Sequence, residues 1–205
     1  MIQGTDEWHI AKLGICSGSH AIELLPGKRG GYLKARQDYM EQLRTEIIFD
    51  DWERTFTSFD MQYGIDTEPL ARSAYEAITG VMVVEDGFKE HDIISGFGAS
   101  PDGLVGDDGG LEIKCPKRNT HLNYLTDGVV PAKYIPQMIT GMMCYNRKWW
   151  DFVSYRPDAP EGYQIFIKRL EWDQVMVDKI TLEANLFNAE LAAMVEKLRS
   201  MRREA

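Results

Sequence analysis

The stretch at residues 98–116 constrains the fold more than any other part of this sequence. It reads GASPDGLVGDDGGLEIKCP, the pattern of two short strands joined by an acidic, glycine-rich turn. Residues 101–103 (Pro-Asp-Gly) open the first strand, and residues 111–115 form the second. Asp107 and Asp108 lie at the tip, where Asp and Gly suit the backbone geometry of a turn. The stretch therefore predicts a β-hairpin.

The second strand of this hairpin separates charged from apolar side chains. Because side chains alternate between the faces of a strand, Glu112 and Lys114 share one face. The opposite face carries Leu111, Ile113 and Cys115. The hairpin can bring Asp102 beside Glu112, so that two carboxylates and one ammonium group converge. Such a group of side chains can hold a divalent metal ion and activate a water molecule.

The order Pro-Asp, spacer, Glu-x-Lys suits the chemistry of magnesium. Mg²⁺ prefers oxygen ligands and keeps several waters, so Asp102, Glu112 and the Ile113 carbonyl are a sufficient donor set. Lys114 can orient or deprotonate an attacking water, or neutralise charge in the transition state of phosphodiester hydrolysis. The alternative is structural, with Asp102 capping a turn and Glu112 paired with Lys114. Short patterns of this kind also occur by chance, and the residues alone leave both interpretations open.

Length and composition narrow the class of protein. With 205 residues, 44% hydrophobic and 27% charged, the chain suits one soluble domain spanning residues 1–205. It has no apolar run of bilayer length, and its first residues lack the features of a signal peptide. We therefore expect a cytoplasmic protein that does not associate with membranes. The odd number of cysteines without a CxxC pair argues against a zinc or iron–sulfur site and favours reduced thiols at Cys16, Cys115 and Cys144.

The formal net charge of −9 argues against non-specific binding to nucleic acid. It does not exclude such binding, because basic groups can be concentrated on one surface and metal ions supply local positive charge.

Helices and strands are expected on both sides of the hairpin. Periodicity and turn residues predict helices at residues 32–48, 60–79, 119–125, 133–145 and 172–201. They predict short strands at residues 81–84, 87–91 and 93–99 that lead into the hairpin, and a second hairpin from residues 149–155 and 163–170. Pro69 marks either a start or a kink of the second helix. Trp52 and Phe56 are expected anchors of the connection before it. The expected core residues of the last helix are Val175, Ile180, Leu186, Phe187, Leu191, Met194 and Leu198.

A second candidate site lies near the start of the chain. Residues 17–19 (Ser-Gly-Ser) can cap a helix that begins near His20, and an exposed helix N-terminus offers N–H groups to an anion. Lys12 nearby makes a phosphate pocket possible, although a plain cap with a surface lysine is the simpler local interpretation. The simpler local interpretation of Glu68 is likewise a solvent-exposed residue on the surface of a helix. Gln137 lies among apolar neighbours and needs hydrogen-bond partners if it is buried.

Four blocks of the chain together resemble a known family. They are Trp8-His9 with Leu13-Gly14 and residues 17–19; residues 64–68; residues 100–103 with 111–116; and residues 134–137 (Tyr-Ile-Pro-Gln). From Trp8 to the last helix, the chain resembles the phage lambda exonuclease family, the YqaJ-type viral recombinases within the PD-(D/E)xK nucleases. It is also similar to the alkaline exonucleases that bacterial and prophage genomes carry beside a single-strand annealing protein.

The resemblance implies both a fold and an activity. The implied fold is α/β (α+β), with a restriction-endonuclease-like core in which helices flank a mixed central β-sheet. The implied assembly is a homotrimer that forms a toroid around linear double-stranded DNA. The implied activity is processive 5′-to-3′ digestion of one strand, preferably 5′-phosphorylated, of the two-metal type with Mg²⁺ or, as a substitute, Mn²⁺. The 3′ single-stranded tails would serve DNA recombination with an annealing protein as partner.

The resemblance also implies roles for single residues at the metal centre. Asp102, Glu112 and the Ile113 backbone oxygen fall on metal ligands, and Lys114 falls on the catalytic lysine. Glu68 falls on an acidic residue at the metal centre, which replaces its interpretation as a surface residue.

Further positions fall on groups that handle the DNA end. Ser19, Ser100 and Gln137 fall on contacts to the 5′-terminal phosphate. Lys12 falls where the family's best-known member has arginine; lysine keeps the charge but loses the bidentate fork. Met61 falls on the apolar wedge that separates the strands, although Met is also a common core filler. The resemblance assigns no role to His20.

Other functions remain open at this point. One is a catalytically silent DNA-binding or scaffold module of the same fold, and another is a PD-(D/E)xK nuclease of other polarity. The missing cysteine cluster argues against an iron–sulfur exonuclease, and the absence of a second domain argues against an endonuclease domain that needs a separate reader. A ring would let basic residues line its channel while its outside stays acidic, which reconciles DNA binding with the net charge of −9.

Overall fold

The computed structural model of the chain describes residues 3–54 and 57–203, so Phe56 lies outside the described residues. The helices, in chain order, are α1 (Asp6–Lys12), α2 (Ala21–Leu24), α3 (Lys34–Phe49), α4 (Phe59–Thr79), α5 (Arg118–Asp127), α6 (Ile135–Tyr145) and α7 (Gln174–Arg203). The strands are β1 (Cys16–Ser17), β2 (Val83–Val84), β3 (Lys89–Glu90), β4 (Phe97–Ala99), β5 (Gly103–Val105), β6 (Gly109–Lys114), β7 (Trp149–Tyr155) and β8 (Ile165–Glu171).

The central sheet has five strands in the order β2-β5-β6-β7-β8. Within this sheet of the described residues, the β6–β7 pair is parallel and the other three are antiparallel. The β6–β7 pair aligns Glu112 with Phe152 and Lys114 with Ser154. The predicted hairpins are confirmed as the antiparallel pairs β5–β6 and β7–β8. A mixed sheet flanked by helices is therefore present, as the expected fold class requires.

Two of the strands that precede the hairpin belong to a second sheet. β3 and β4 pair with each other, and β4 pairs in parallel with β1, which gives the order β1-β4-β3. Only β2 joins β5. The expected run of strands into the hairpin is thus divided between two sheets, and the division falls at Pro101, whose missing N–H suits a break between strands.

The two faces of the central sheet are covered by different helices. On one face, Ala71 and Tyr75 of α4 pack against Leu111 and Ile113, with the half-buried Cys115 beside them. On the other face, α6 and α7 pack over Trp150 and Phe152 in the larger core, which also includes residues of α3. Glu112 lies on this second face, since it alternates with Leu111 and Ile113 along β6. The predicted separation of charged from apolar side chains is confirmed.

The helix α6 approaches the sheet closely because two glycines, Gly141 and Gly110, face the large side chain of Trp150. A Cβ atom on Gly141 would lie 2.7 Å from ring atoms of Trp150, and one on Gly110 would lie 2.3 Å from the same ring. Trp150 is almost completely buried. The two glycines therefore make room for this indole between α6 and β6.

The structure excludes one of the two alternatives for Pro69 and corrects part of the expected core of the last helix. α4 begins at Phe59, where the Ser58 hydroxyl accepts a hydrogen bond from the Met61 N–H group, and it continues through Pro69, which excludes a start at Pro69. In α7, Ile180, Phe187 and Leu191 are buried and Met194 is partly buried, as predicted. Three other expected core residues are exposed because they lie off the buried stripe of that helix: Val175 (79%), Leu186 (43%) and Leu198 (39%). Among the helices in the described part of the chain, none combines the length and apolar character needed to cross a bilayer.

Candidate active site

The hairpin brings Asp102 next to the second strand, as predicted. The Asp102 N–H group donates to the Leu111 carbonyl at 3.2 Å, and the Oδ2 atom of Asp102 accepts from the Ile113 N–H group at 2.6 Å. Glu112 is only 2% exposed and forms an ion pair with the Lys114 ammonium group. The hydrogen bond of Asp102 and the Glu112–Lys114 ion pair of the structural alternative are therefore present.

Arg72 connects Glu68 to this hairpin. It lies one turn after Glu68 on α4, and its Nη2 atom donates to the Oε1 atom of Glu68 at 3.0 Å. Its Nε atom donates to the Asp102 carbonyl at 3.2 Å, and its Nη1 atom pairs with Glu85 at 2.7 Å. The sequence reasoning did not single out Arg72. Its only local signal is a Glu-x-x-x-Arg spacing, which is common on helix surfaces.

The carboxylates of this site oppose each other's ionisation. Burial, with the negative charge of Asp102 adding to it, raises the pKa of Glu68 to about 7. Burial raises the pKa of Glu112 to about 8, against the opposing effect of Lys114. Burial also raises the pKa of Asp102. Burial disfavours the charge on Lys114, but Glu112 and Asp102 outweigh it and raise the pKa of that ammonium group.

The donor set fits a hard divalent cation. Glu68, Asp102, Glu112 and the Ile113 carbonyl offer oxygen atoms only, which is the ligand type that Mg²⁺ prefers. Mutual repulsion among three carboxylates is an arrangement that a cation relieves. As the side chains stand, the described residues contain no group of three or more His, Cys, Asp or Glu that could hold a metal ion. Arg72 and Lys114 pair with two of the carboxylates, so a metal ion has to compete with these cations.

All four predicted phosphate contacts meet at one small cavity. This cavity, about 170 Å³ in volume, is lined by Asp102 and Glu112. Its wall also contains Lys12, Ser19, Ser100 and Gln137. These six residues come from α1, the segment after β1, the hairpin region and α6. The structure therefore brings together residues that are far apart in sequence.

Trp8 and Ser17 orient the hydroxyl groups of the small cavity. The Trp8 indole Nε1 donates to the Ser100 Oγ atom at 2.9 Å, which leaves the Ser100 hydroxyl proton available to another acceptor. The Ser17 and Ser19 hydroxyls share a hydrogen bond at 2.9 Å. The expected helix near His20 is only a 3₁₀ turn (Gly18–His20) followed by α2. In the described structure, the Ser17 side chain makes no capping hydrogen bond to this turn, so the cavity is built from side chains rather than from a helix N-terminus.

Lys12 lies at the edge of the small cavity. Its ammonium group lies 3.8 Å from the centroid of the Trp8 ring. Burial lowers the pKa of Lys12 to about 8, while the charge of Glu46 acts in the opposite direction. A cation that is partly deprived of water is a strong partner for an anion. Lys12 therefore loses its proton more readily than an exposed lysine does.

A larger cleft, about 860 Å³ in volume, borders the same hairpin. Glu68, Ile113 and Lys114 line it, together with Met61. Met61 is 52% exposed, which excludes a role as core filler. The basic side chains along this cleft are Lys114, Lys117, Lys133 and Arg156. The cleft is more basic than a chain of net charge −9 would have on average.

His20 does not line the small cavity. Its ring stacks on the Tyr39 ring with centroids 4.0 Å apart, and its Nδ1 atom lies 3.1 Å from a Glu23 carboxylate oxygen. It lines a third cavity of about 390 Å³ together with Trp8 and Lys12.

Known proteins resemble this chain over most of its length. Residues 7–148 match the YqaJ-like viral recombinase domain. The alkaline exonuclease LHK-Exo from Laribacter hongkongensis is 40% identical, with a TM-score of 0.92 over 98% of this chain and 99% of that chain. The structure of LHK-Exo in complex with dAMP matches with a TM-score of 0.91 and the same identity, over 98% and 100% of the two chains.

A more distant structure shares the fold. The phage-related exonuclease from Haemophilus somnus 129PT is 14% identical, with a TM-score of 0.64 over 88% of this chain and 96% of that chain. A search of curated proteins finds no significant match. The domain match covers more than half of the chain, and a 40% identical relative aligns over nearly its whole length. The chain therefore belongs to the YqaJ-like viral recombinase family, as its motifs predict, and it has the fold of an alkaline exonuclease.

Proposed function

We propose that this protein is a Mg²⁺-dependent, processive exonuclease that digests one strand of linear double-stranded DNA from its 5′ end. The observation that carries the proposal is the small cavity, where Lys12, Ser19, Ser100 and Gln137 surround the same space as Asp102 and Glu112. The 40% identity to an alkaline exonuclease, which also forms a complex with dAMP, supports a nucleic-acid substrate.

The cavity volume supports an exonuclease rather than an endonuclease. A space of about 170 Å³ holds a phosphate group but leaves no passage for a duplex. A phosphate bound there is therefore at the end of a strand. Cations and hydroxyl groups favour a dianionic terminal phosphate, which is why we expect a preference for 5′-phosphorylated ends. The next phosphodiester along the strand then lies toward Asp102, Glu112 and the larger cleft.

The chain's own residues divide the work of hydrolysis. Asp102, Glu112 and the Ile113 carbonyl, with Glu68 beside them, would hold Mg²⁺, which when bound acidifies a water molecule and stabilises charge on phosphodiester oxygens. Mn²⁺ can substitute because it accepts the same oxygen ligands. Lys114 orients the attacking water or neutralises the charge that develops at the phosphate. Ser100 and Lys12 fix the 5′ end, and Met61 separates the strands at the mouth of the cleft.

We further propose that the protein acts as a homotrimeric ring around the duplex, as one domain over residues 1–205. Basic groups along the larger cleft, Lys117, Lys133 and Arg156, support a path for the DNA backbone on an otherwise acidic molecule. The 3′ single-stranded tails that result suit a partner protein that anneals single strands during recombination. The cytoplasm, where such DNA is found in a bacterium, is the proposed location.

Digestion of a linear duplex that carries a label at either end tests this proposal. Loss of the 5′ label first, in Mg²⁺ or Mn²⁺ and not in chelator, is the expected result. Loss of the 3′ label first would assign the other polarity. No loss of either label, with the duplex still bound, would favour the alternative of a catalytically silent DNA-binding module.

A further inference from the structure

We propose that the third cavity, here called the side pocket, receives the base of the 5′-terminal nucleotide, an inference that rests on the proposed function. The side pocket has a volume of about 390 Å³, within the range of about 300–1,000 Å³ that is usual for small-molecule sites. It shares Trp8, Lys12 and Ser17 with the small cavity. A nucleotide with its phosphate in the small cavity can therefore extend its sugar and base past Lys12 into the side pocket.

Aromatic rings form much of the side pocket. The His9 and Trp52 rings stack with centroids 5.0 Å apart and planes within 4° of each other. The Trp8 ring meets His9 edge-on at 4.9 Å, and the His20 ring stacks on Tyr39. Parallel and edge-on rings of this kind are the surfaces on which nucleobases stack, because every base has a π-face.

The side pocket offers hydrogen-bond acceptors to a base. Glu46 and Glu53 line the side pocket, and Lys12 also lies in its wall. The Glu46 carboxylate accepts from the Gly14 N–H group at 3.1 Å and from the Gln42 amide at 2.9 Å, and it has lone pairs left. Carboxylates accept hydrogen bonds from the amino groups of bases. Glu46 can therefore bind the amino group of a base that lies in the side pocket.

Met61 connects the side pocket with the strand-separation step. It lines both the larger cleft and the side pocket. A base that leaves the duplex at Met61 is therefore already at the entrance of a stacking surface. The side pocket would compensate part of the free energy lost when that base leaves its neighbours in the duplex.

Calorimetric titration of the whole protein in chelator tests the inference without turnover. The probes are dAMP, dTMP and 2-deoxyribose 5-phosphate, which share the phosphate and the sugar. We expect dAMP to bind on the order of 10- to 100-fold more tightly than the base-free probe, as one stacked base contributes. We expect dTMP to lie between them, since thymine lacks an amino group. Equal affinities for dAMP and 2-deoxyribose 5-phosphate, or no binding of dAMP at millimolar concentration, would overturn the inference.

Three variants separate the side pocket from the small cavity. Trp52→Ala should remove most of the preference for dAMP over the base-free probe, Trp52→Phe should keep most of it, and Trp172→Ala, a tryptophan outside the three cavity walls, should leave it unchanged. Ser100→Ala should lower the affinities for dAMP and for 2-deoxyribose 5-phosphate by the same factor. An unchanged preference in Trp52→Ala would contradict the side pocket alone. A preference lost in Trp52→Ala with no effect of Ser100→Ala would instead contradict the phosphate site of the proposed function.

Discussion

Two ion pairs hold side chains of this site in place. Arg72 pairs with Glu68 on α4, and Lys114 pairs with Glu112 on β6. The Asp102 carbonyl accepts from Arg72, and its carboxylate accepts from the N–H group of Ile113, which lies between Glu112 and Lys114 on β6. These cations offset the charge of the carboxylates, and in the proposed mechanism a metal ion would replace part of that charge.

Replacing Lys114 tests the catalytic role of this ammonium group. We expect Lys114→Ala to lower the exonuclease rate by about 10²- to 10⁴-fold, the range for a group that transfers a proton or stabilises charge. The measurement is single-turnover digestion of a 5′-phosphorylated duplex in Mg²⁺. Lys148→Ala is the control, because Lys148 pairs with Asp108 at the far end of β6. A rate within twofold of the wild type in Lys114→Ala would exclude the catalytic role.

The spacing of residues predicted one part of this site and missed another. Asp102, Glu112 and Lys114 were predictable because a short hairpin fixes their relative positions. Glu68 and Gln137 were found only through the family resemblance, because tertiary packing brings α4 and α6 to the hairpin. The part played by Arg72 and Trp8 depends on hydrogen bonds across the fold, and no local pattern predicts such bonds.

At the scale of helices and strands, the long elements were predictable and the short ones were not. The pattern of α3, α4, α6 and α7 gave their ends within a few residues, since several turns of a helix carry a clear period. Strands of two or three residues carry no period. The pairing of β1 with β4 joins Cys16 to Phe97, a contact between distant segments that the sequence pattern does not encode.

Packing of α6 on the sheet predicts a difference between two helical glycines. Gly141→Ala should destabilise the fold relative to Gly64→Ala by about 1–3 kcal/mol, the usual cost of overpacking. The reason is that a Cβ atom on Gly141 meets the Trp150 ring at 2.7 Å, whereas one on Gly64 meets nothing within 4 Å. Both changes gain similar helix propensity, so their difference in urea denaturation isolates the contact. Equal stabilities would mean that α6 does not pack against Trp150 as described.

The contact between α3 and α7 predicts a pH-dependent stability. Arg36, with a side chain only 4% exposed, donates to both carboxylate oxygens of Glu190 at 2.7 and 2.9 Å. These hydrogen bonds lower the pKa of Glu190. A lowered pKa stabilises the fold above the unfolded value of about 4.3, and this stability is lost as the pH falls through the folded pKa.

Glu190→Gln should therefore reduce the free energy of unfolding at pH 7 by about 1 kcal/mol, a value discounted for the exposure of Glu190. At pH 4 the reduction should be smaller. Urea denaturation at the two pH values measures both. Asp38→Asn, which removes the exposed pair with Lys34, serves as the control and should change stability little at either pH. A cost of Glu190→Gln that does not depend on pH would contradict the ion pair.

For the whole molecule, the central question is how an acidic chain holds DNA. A ring would retain its substrate by topology, so processivity should depend less on ionic contacts than loading does. We expect the loading rate to fall steeply as the salt concentration rises from about 50 to about 200 mM. Over this range, the affinity of a protein that makes several phosphate contacts typically falls on the order of 10³-fold or more. The number of nucleotides removed per binding event should change far less. Equal salt sensitivity of the two, or a monomer in sedimentation, would contradict a ring.

The most direct test of the whole account compares 5′-phosphorylated with 5′-hydroxyl duplex, in Mg²⁺, for the wild type and for Ser100→Ala. The account predicts that the wild type digests the phosphorylated end about 10- to 100-fold faster, since a hydrogen bond to a charged group contributes about 1.5–3 kcal/mol. In Ser100→Ala this ratio should fall toward one, while the rate on the hydroxyl end changes little. Equal rates on both ends in the wild type, or a ratio that Ser100→Ala leaves unchanged, would contradict the claim that the small cavity holds the 5′ end beside Asp102 and Glu112.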